Sequence, residues 1–470
     1  MEAKFSAPVA GPWPGLLIFA AALAFAVLSA RDYAGSWNDG SRLAAIESLA
    51  DRHTFIIERS IFVQVPQAPG ASPYGNNGLL NRFGTRDVVR INGRIYSSKP
   101  PVQSLLMAAI YGAMKMAFGL DARRSPRLFC YLMTVLTSGL AYAIAVWCTF
   151  RIGLYTGLGS RQSLLLACGV ALTTVAAAWM QAVNNHIVLL AVAGAVVLNM
   201  LRYLDRPGAG SIAAIGALSG FGYAIEQGSG MVLLGAAAVW TAYRTRNLRL
   251  IGCFAMAALP WAAAHHALIF ALGHSVRPLN SVRAFDAFPG SAFSSGDMTG
   301  ILIERPLLKT VGYALGLLFG PRGFIGHNLA LYLSIPALYV LIARGDEHLP
   351  ELLFAGFYAG GTWLLYSLFS SNYSGVCCSI RWFVPLLAPA YYVLARFLKS
   401  QPEYWPDFLI LSGWGLLFGA AIWWMGPWSP RSQLLGVPFQ VSALASWAAY
   451  RLPRLQLGRI QSVRHGTGPG

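Results

Sequence analysis

Apolar runs of roughly 17–25 residues, long enough to cross about 30 Å of hydrocarbon as a helix, recur from one end of this chain to the other. They predict spans over residues 14–30, 128–150, 163–181, 187–204, 211–226, 229–243, 250–272, 326–343, 350–369, 382–398 and 407–425, with a weaker one over 434–450. The period-2 alternation of a membrane barrel is absent. The pattern therefore predicts an all-α polytopic membrane protein with about 11–12 transmembrane helices.

The polar intervals sort into two kinds. Short links are basic: Arg151 and Arg161, Arg202 and Arg206, Arg244, Arg246 and Arg249, Arg344, Arg396 and Lys399, then a basic tail over 451–470. With the N-terminus inside, all of these fall on the cytoplasmic side, as the positive-inside rule requires. The loops of opposite parity are 31–127, 182–186, 227–228, 273–325, 370–381 and 426–433. Residues 15–30 lack a clear cleavage site and read as a retained first span. Residues 102–118 are apolar enough to span, but spanning would place the downstream basic links outside. We read them as a juxtamembrane helix at the outer surface, with Lys115 snorkelling. The second long outer loop, 273–325, carries Arg277, Arg283, Asp286, Asp297, Glu304, Arg305, Lys309 and Arg322.

Composition fits this picture. The chain is 470 residues, 56% hydrophobic and 11% charged, which excludes an ordinary soluble domain. Its net charge of +17 is accounted for largely by the cytoplasmic links, so nucleic acid is not implied; the remainder suits membrane lipids or an anionic lipid substrate. The six cysteines show no metal-ligand spacing.

Against that background the first outer loop stands apart. Residues 31–101 hold nine Lys/Arg and six Asp/Glu, 15 of the 53 charged groups in the chain. Ionisable groups at a bilayer surface are costly unless they do chemistry or grip a charged ligand. Asp39 follows the first span within Asn38-Asp39-Gly40, which is equally an ordinary turn signature, with Asp39 capping a helix that begins at Ser41. Lys99 precedes Pro100-Pro101, a rigid extended approach to the following helix, so its ammonium is held where it suits a lipid phosphate. Arg90 and Arg94 are close in sequence. Glu226 lies near the outer end of a predicted span, a functional candidate or a structural pairing. Arg381 sits at the outer mouth of the span that starts at Trp382, as a phosphate ligand or an interfacial anchor.

An acidic residue just after the first span, followed by Tyr96-Ser97-Ser98-Lys99-Pro100-Pro101 and a short apolar helix, resembles the GT-C membrane glycosyltransferases. The likeness is to the branch of protein O-mannosyltransferases and lipid A aminoarabinose transferases. Asn184-Asn185-His186, FGPRGFIGHN at 319–328 and NYSGVCCSIRWFVPLLAP at 372–389 are similar to bacterial members. The resemblance implies a GT-C-type bundle in the plasma membrane. Its activity would be transfer of a sugar, with inversion, from a polyprenyl-phosphate donor to a lipid, glycan or protein hydroxyl on the non-cytoplasmic face. It implies Asp39 as general base or acceptor-orienting group and Lys99 at the lipid phosphate. Several relatives carry an acidic residue in the second outer loop, where this chain has Asn184-Asn185-His186, so His186 takes a proton-handling or substrate-bonding place there. Beside the resemblance, position in the chain offers Glu226 as a further catalytic candidate and Arg94, Tyr96, Asn185, Arg381 and Tyr373 as substrate-binding ones. Some relatives use a divalent cation and others none, so metal dependence stays open. The alternative, a transporter or flippase of a lipid-linked or anionic substrate, calls for charges in mid-span and internal repeats; here the charges gather in loops.

Overall fold

The computed structural model describes residues 12–63, 85–293 and 299–465; Asp297 and the last five residues of the tail lie outside that set. Helix α1 (Pro12–Ser29) leads into α2 (Trp37–Arg52), then a hairpin of β1 (Val88–Ile91) and β2 (Arg94–Ser97), then α3 (Pro101–Phe118). Next come α4 (Pro126–Tyr155), continuous through a π segment at Val135–Gly139, α5 (Ser160–Leu172), α6 (His186–Asp205), α7 (Ala209–Ile225), α8 (Gln227–Thr245) and α9 (Leu248–Gly273). The chain closes with α10 (Leu307–Phe319), α11 (Leu331–Ala343), α12 (Leu349–Phe369), α13 (Leu387–Ser400), α14 (Trp405–Met425) and α15 (Pro430–His465). The protein is all-α and polytopic, the short hairpin apart. Among the described residues, five segments are long and apolar enough to cross a membrane: α4, α6, α9, α12, and α14 with the turn before it; α1, α7, α10 and α11 are shorter apolar helices.

Two expectations are corrected. The span over 163–181 is broken after Leu172, because Thr173 and Thr174 turn their hydroxyls back onto the carbonyls of Gly169 and Val170 at 2.7 Å each. Asn328 then accepts the Val175 N–H at 3.0 Å, and only a single turn, Ala176–Trp179, follows. The segment 273–325 is not all loop. It contains α10, which buries Tyr313, Ala314 and Leu317 and leaves Leu307, Leu308, Val311 and Leu315 exposed, an amphipathic face broad enough to lie against lipid.

Interactions between distant loops gather one end of the bundle. The Arg31 N–H donates to the Gln181 carbonyl (3.1 Å), and the Gln181 amide donates to the Trp423 carbonyl (2.7 Å). Cys378 N–H reaches the Pro427 carbonyl (2.8 Å) and Gly300 N–H the Phe369 carbonyl (2.9 Å). On this end α2, α3 and the start of α4 form a module with its own apolar core, including Leu43, Ile46, Phe62, Tyr111, Phe129 and Met133. Lys115 does not merely snorkel: it donates to Asp51 on α2 at 2.8 Å, pinning α3 to its neighbour.

Candidate functional site

The site begins with a two-residue turn. Asn92 (φ 51°) and Gly93 (φ 81°) both adopt left-handed backbone, the geometry that matches the twist of a tight hairpin. The register pairs Val88 with Ser97, so Asp87 and the Ser98-Lys99 pair leave the two strands side by side. The Ser98 hydroxyl donates to the Asp87 carboxylate, the Lys99 ammonium ion-pairs with it, and the Asn38 amide lies 3.4 Å away. Ser41 of α2 donates to the Asp87 carbonyl at 2.6 Å and shares a 2.8 Å hydrogen bond with Ser97, fastening the hairpin to the helix. As expected, Pro100 is extended (φ −52°, ψ 130°) and α3 starts at Pro101. Burial pushes the Asp87 carboxyl up, but Lys99, Ser98 and Arg381 outweigh it and hold the group below its ordinary value. Burial takes Lys99 down to about 8; Asp87 opposes the fall, and Arg42 and Arg381 add to it.

Asp87 and Lys99 line a cavity of about 140 Å³ whose other walls include Asn280, Asp286, Arg381 and Trp382. Arg381 arrives from the far end of the sequence. Its guanidinium lies 5.4 Å from the Trp428 ring centroid, and its buried Nε has no hydrogen-bond partner among the described residues. Trp382 stacks on Tyr366 at 4.4 Å with the rings 3° from parallel, a flat apolar wall beside the charged one.

The remaining candidates form a second layer. Asp39 is 1% exposed and does not line the cavity. Its carboxylate accepts from the N–H groups of Gly35 (2.8 Å) and Ser36 (2.7 Å) and from the Ser36 hydroxyl, while Ser36 Oγ accepts from the N–H groups of Asn38 and Asp39. This is a reciprocal capping box in which Ser36 is the N-cap and Asp39 the third helical residue, so the helix starts at Trp37 rather than at Ser41. Burial raises the Asp39 carboxyl, with the cap hydrogen bonds pulling the other way. One turn on, Arg42 is buried and donates to Asn38 and to the Asn185 side chain. Asn185 donates in turn to the Glu226 carboxylate and to the Ile225 carbonyl (3.2 Å). Glu226 is the single non-helical residue between α7 and α8 (φ −152°, ψ 101°), and the Tyr366 hydroxyl donates to it at 2.9 Å. His186 Nδ1 lies 3.6 Å from Glu226 without a hydrogen bond. A chain of contacts thus runs from Arg42 through Asn185, Glu226 and Tyr366 to Trp382.

Three expected residues stay outside. Arg94 is exposed at the hairpin tip and pairs with Glu58 at 3.4 Å, because it directly follows the turn and points away from α2. Tyr96 borders a small cleft shared with Lys99 rather than the main cavity. Tyr373 packs on Tyr313 (5.1 Å) with Arg322 over its ring, while its neighbour Asn372 takes the lining position. Asp87 and Arg42 were not singled out from sequence. The Asn92-Gly93 turn signature would have found Asp87, and the helical spacing from Asn38 would have found Arg42. Among the described residues, no group of three His, Cys, Asp or Glu side chains is arranged to hold a metal ion.

No family model matches this chain, and no curated protein matches it. Solved structures do. The crystal structure of ArnT from Cupriavidus metallidurans bound to undecaprenyl phosphate aligns over 94% of this chain and 79% of its own, with a TM-score of 0.51 and 15% identity. The apo structure of the same protein aligns over 92% and 76%, with a TM-score of 0.50 and 14% identity. ArnT is an aminoarabinose transferase with the GT-C architecture. At such identity the likeness is one of fold, and this chain carries the GT-C helical fold.

Proposed function

We propose that this protein is a membrane glycosyltransferase that moves a sugar from a polyprenyl-phosphate donor to an acceptor hydroxyl on the non-cytoplasmic face. The observation that carries the reading is the meeting of Lys99 and Arg381 on one cavity at the gathered end of a GT-C fold. The bond to break joins the anomeric carbon to a phosphate oxygen. Phosphate is already a good leaving group, so stabilising its developing charge matters more than protonating it. Charge-assisted hydrogen bonds from an ammonium and a guanidinium do this, and the Nε of Arg381 has no partner among the described residues. The undecaprenyl phosphate held by the similar ArnT structure fits this assignment. The acceptor is a lipid, a glycan or a protein.

Within this reading, Asp39 organises the start of α2, from which Asn38 and Ser41 reach the Asp87 hairpin and Arg42 reaches Asn185. His186, Asn185 and Glu226 set the Tyr366–Trp382 wall against which a sugar ring would lie. The test is undecaprenyl phosphate binding by the purified protein in detergent. Lys99→Met and Arg381→Met are each expected to weaken it roughly 10- to 100-fold, the worth of a hydrogen bond to a charged group. Wild-type affinity in both variants would refute the assignment. In cells, loss of the protein is expected to leave a polyprenyl-phosphate sugar accumulating and one glycan substituent missing, both read by mass spectrometry.

A further inference from the structure

Four carboxylates surround or back this cavity, and three are already committed. Asp39 is consumed by the capping box. Asp87 is held by Lys99, Ser98 and Asn38. Glu226 is held by Asn185 and Tyr366. Asp286 differs: it lines the cavity, and among the described residues its carboxylate has no side-chain hydrogen bond or ion pair. It ends a single helical turn, Arg283–Asp286. The adjacent Phe285 packs into an apolar cluster of Val89, Ile91, Ile269 and Leu279, locking the turn onto β1. Asp286 is 9% exposed, so it is set into the wall rather than left on a loose loop.

We propose that Asp286 is the catalytic base of the transfer reaction, the group that takes the proton from the acceptor hydroxyl. This rests on the glycosyltransferase reading above. In the step, the acceptor O–H bond gives its electron pair to a new bond between that oxygen and the anomeric carbon. The bond from that carbon to the phosphate oxygen breaks, and its pair leaves with the phosphate toward Lys99 and Arg381. The proton ends on Asp286, so no other reactant is needed. Geometry allows the division of labour: the two cations and the uncommitted carboxylate line one cavity of about 140 Å³. Proton affinity agrees. Burial and the facing Asp87 raise the Asp286 carboxyl to about 6, with Lys99 opposing, and a base titrating near ambient pH is the effective kind. The charged groups that act on it are Asp87 and Lys99 from the hairpin, and Arg381 lines the same cavity; Arg283 on its own turn and Arg90 on β1 are exposed.

The experiment uses full-length protein, undecaprenyl phosphate as the binding probe, and the donor-lipid fraction of cells lacking the protein, with their membranes as acceptor. Asp286→Asn is expected to bind undecaprenyl phosphate at least as tightly as wild type, because a negative group has been removed, while transfer falls about 10²- to 10⁴-fold. Asp286→Glu is expected to restore part of the rate. The wild-type rate is expected to fall away below about pH 6, and the residual rate of Asp286→Asn to lose that acid limb. Transfer by Asp286→Asn within a few-fold of wild type overturns the proposal and leaves the glycosyltransferase reading standing. Loss of undecaprenyl phosphate binding in that variant also overturns it, by making Asp286 structural. A wild-type protein that neither binds undecaprenyl phosphate nor consumes the donor fraction overturns both.

Discussion

Replacing Asp87 by asparagine tests how the Lys99 charge is maintained. Stripping one partner from a buried ion pair ordinarily costs about 3–5 kcal/mol, because the other charge is left uncompensated. Lys99 has a way out. It already titrates near 8 rather than 10.5, so at pH 7 it is about one pH unit from giving up its proton. One unit corresponds to about 1.4 kcal/mol, and beyond that the variant does better to neutralise the amine. The loss of stability through Lys99 at pH 7 is therefore on the order of 1 kcal/mol at most. The sign with pH follows from the same values. The unfolded chain holds the Lys99 proton more tightly than the folded one, so stability rises with pH between the two values. In wild type that rise runs from about 8 to 10.5; in Asp87→Asn it starts below 8. Asp87's own share is present above the ordinary carboxyl range and lost only as pH falls through its lower folded value, and the variant lacks it. Thermal unfolding in detergent followed by tryptophan fluorescence from pH 6 to 10 reads this. The Tm deficit is expected to be a few degrees at most, largest at acid pH and shrinking as pH rises. Undecaprenyl phosphate affinity provides the second reading: its ratio between pH 6 and pH 8.5 is expected to be larger in the variant, whose amine loses charge earlier. Parallel profiles for variant and wild type, in stability and in binding, would refute the reasoning.

Other perturbations address the scaffold. Gly93→Ala places a side chain at φ 81° with no atom within 4 Å of the added Cβ, so its cost is backbone alone, about 1–2 kcal/mol; differential scanning calorimetry should show it, and an unchanged Tm would contradict the turn geometry. Ser36→Ala removes the cap hydroxyl and is expected to cost about 1 kcal/mol. It is also expected to lower transfer through misplaced Asn38 and Arg42, with hydrogen exchange of the first α2 amides reporting the loosened helix start.

The bundle was legible because lipid imposes its demand on every residue of a span, and a run of apolar side chains records that demand locally. Lys99 was legible for a related reason: Pro100 and Pro101 constrain the backbone whatever surrounds them. Asp87 needed one further inference, that an Asn-Gly pair between VVRI and RIYS makes a hairpin and sets residues 87 and 98 together. Asp39 shows the limit of type and position alone. A carboxylate two residues into a helix serves a cap or a reaction equally well, and only the Ser36 hydrogen bonds tell which interactions it makes. Asp286 was visible as one charge among eight in its loop. What distinguishes it is the engagement of the other three carboxylates, which is settled by packing between segments far apart in sequence. The break after Leu172 was hidden similarly, since the Asn328 side chain that accepts the Val175 N–H comes from a distant loop.

The π segment at Val135–Gly139 has a consequence for how the chain tolerates change. One extra residue in a turn re-phases everything beyond it by about 100°. The first part of α4 consequently presents Phe129, Cys130 and Met133 to the α2–α3 module, while the part after the bulge presents Tyr142, Ala145 and Val146 to the bundle. A single helix thereby serves two partners lying in different directions. Deleting one residue there would make the helix more regular, yet swing its outer stretch out of alignment with α2 and α3. A one-residue insertion or deletion at this spot is therefore expected to disturb the packing of both partners at once, which a single core substitution does not.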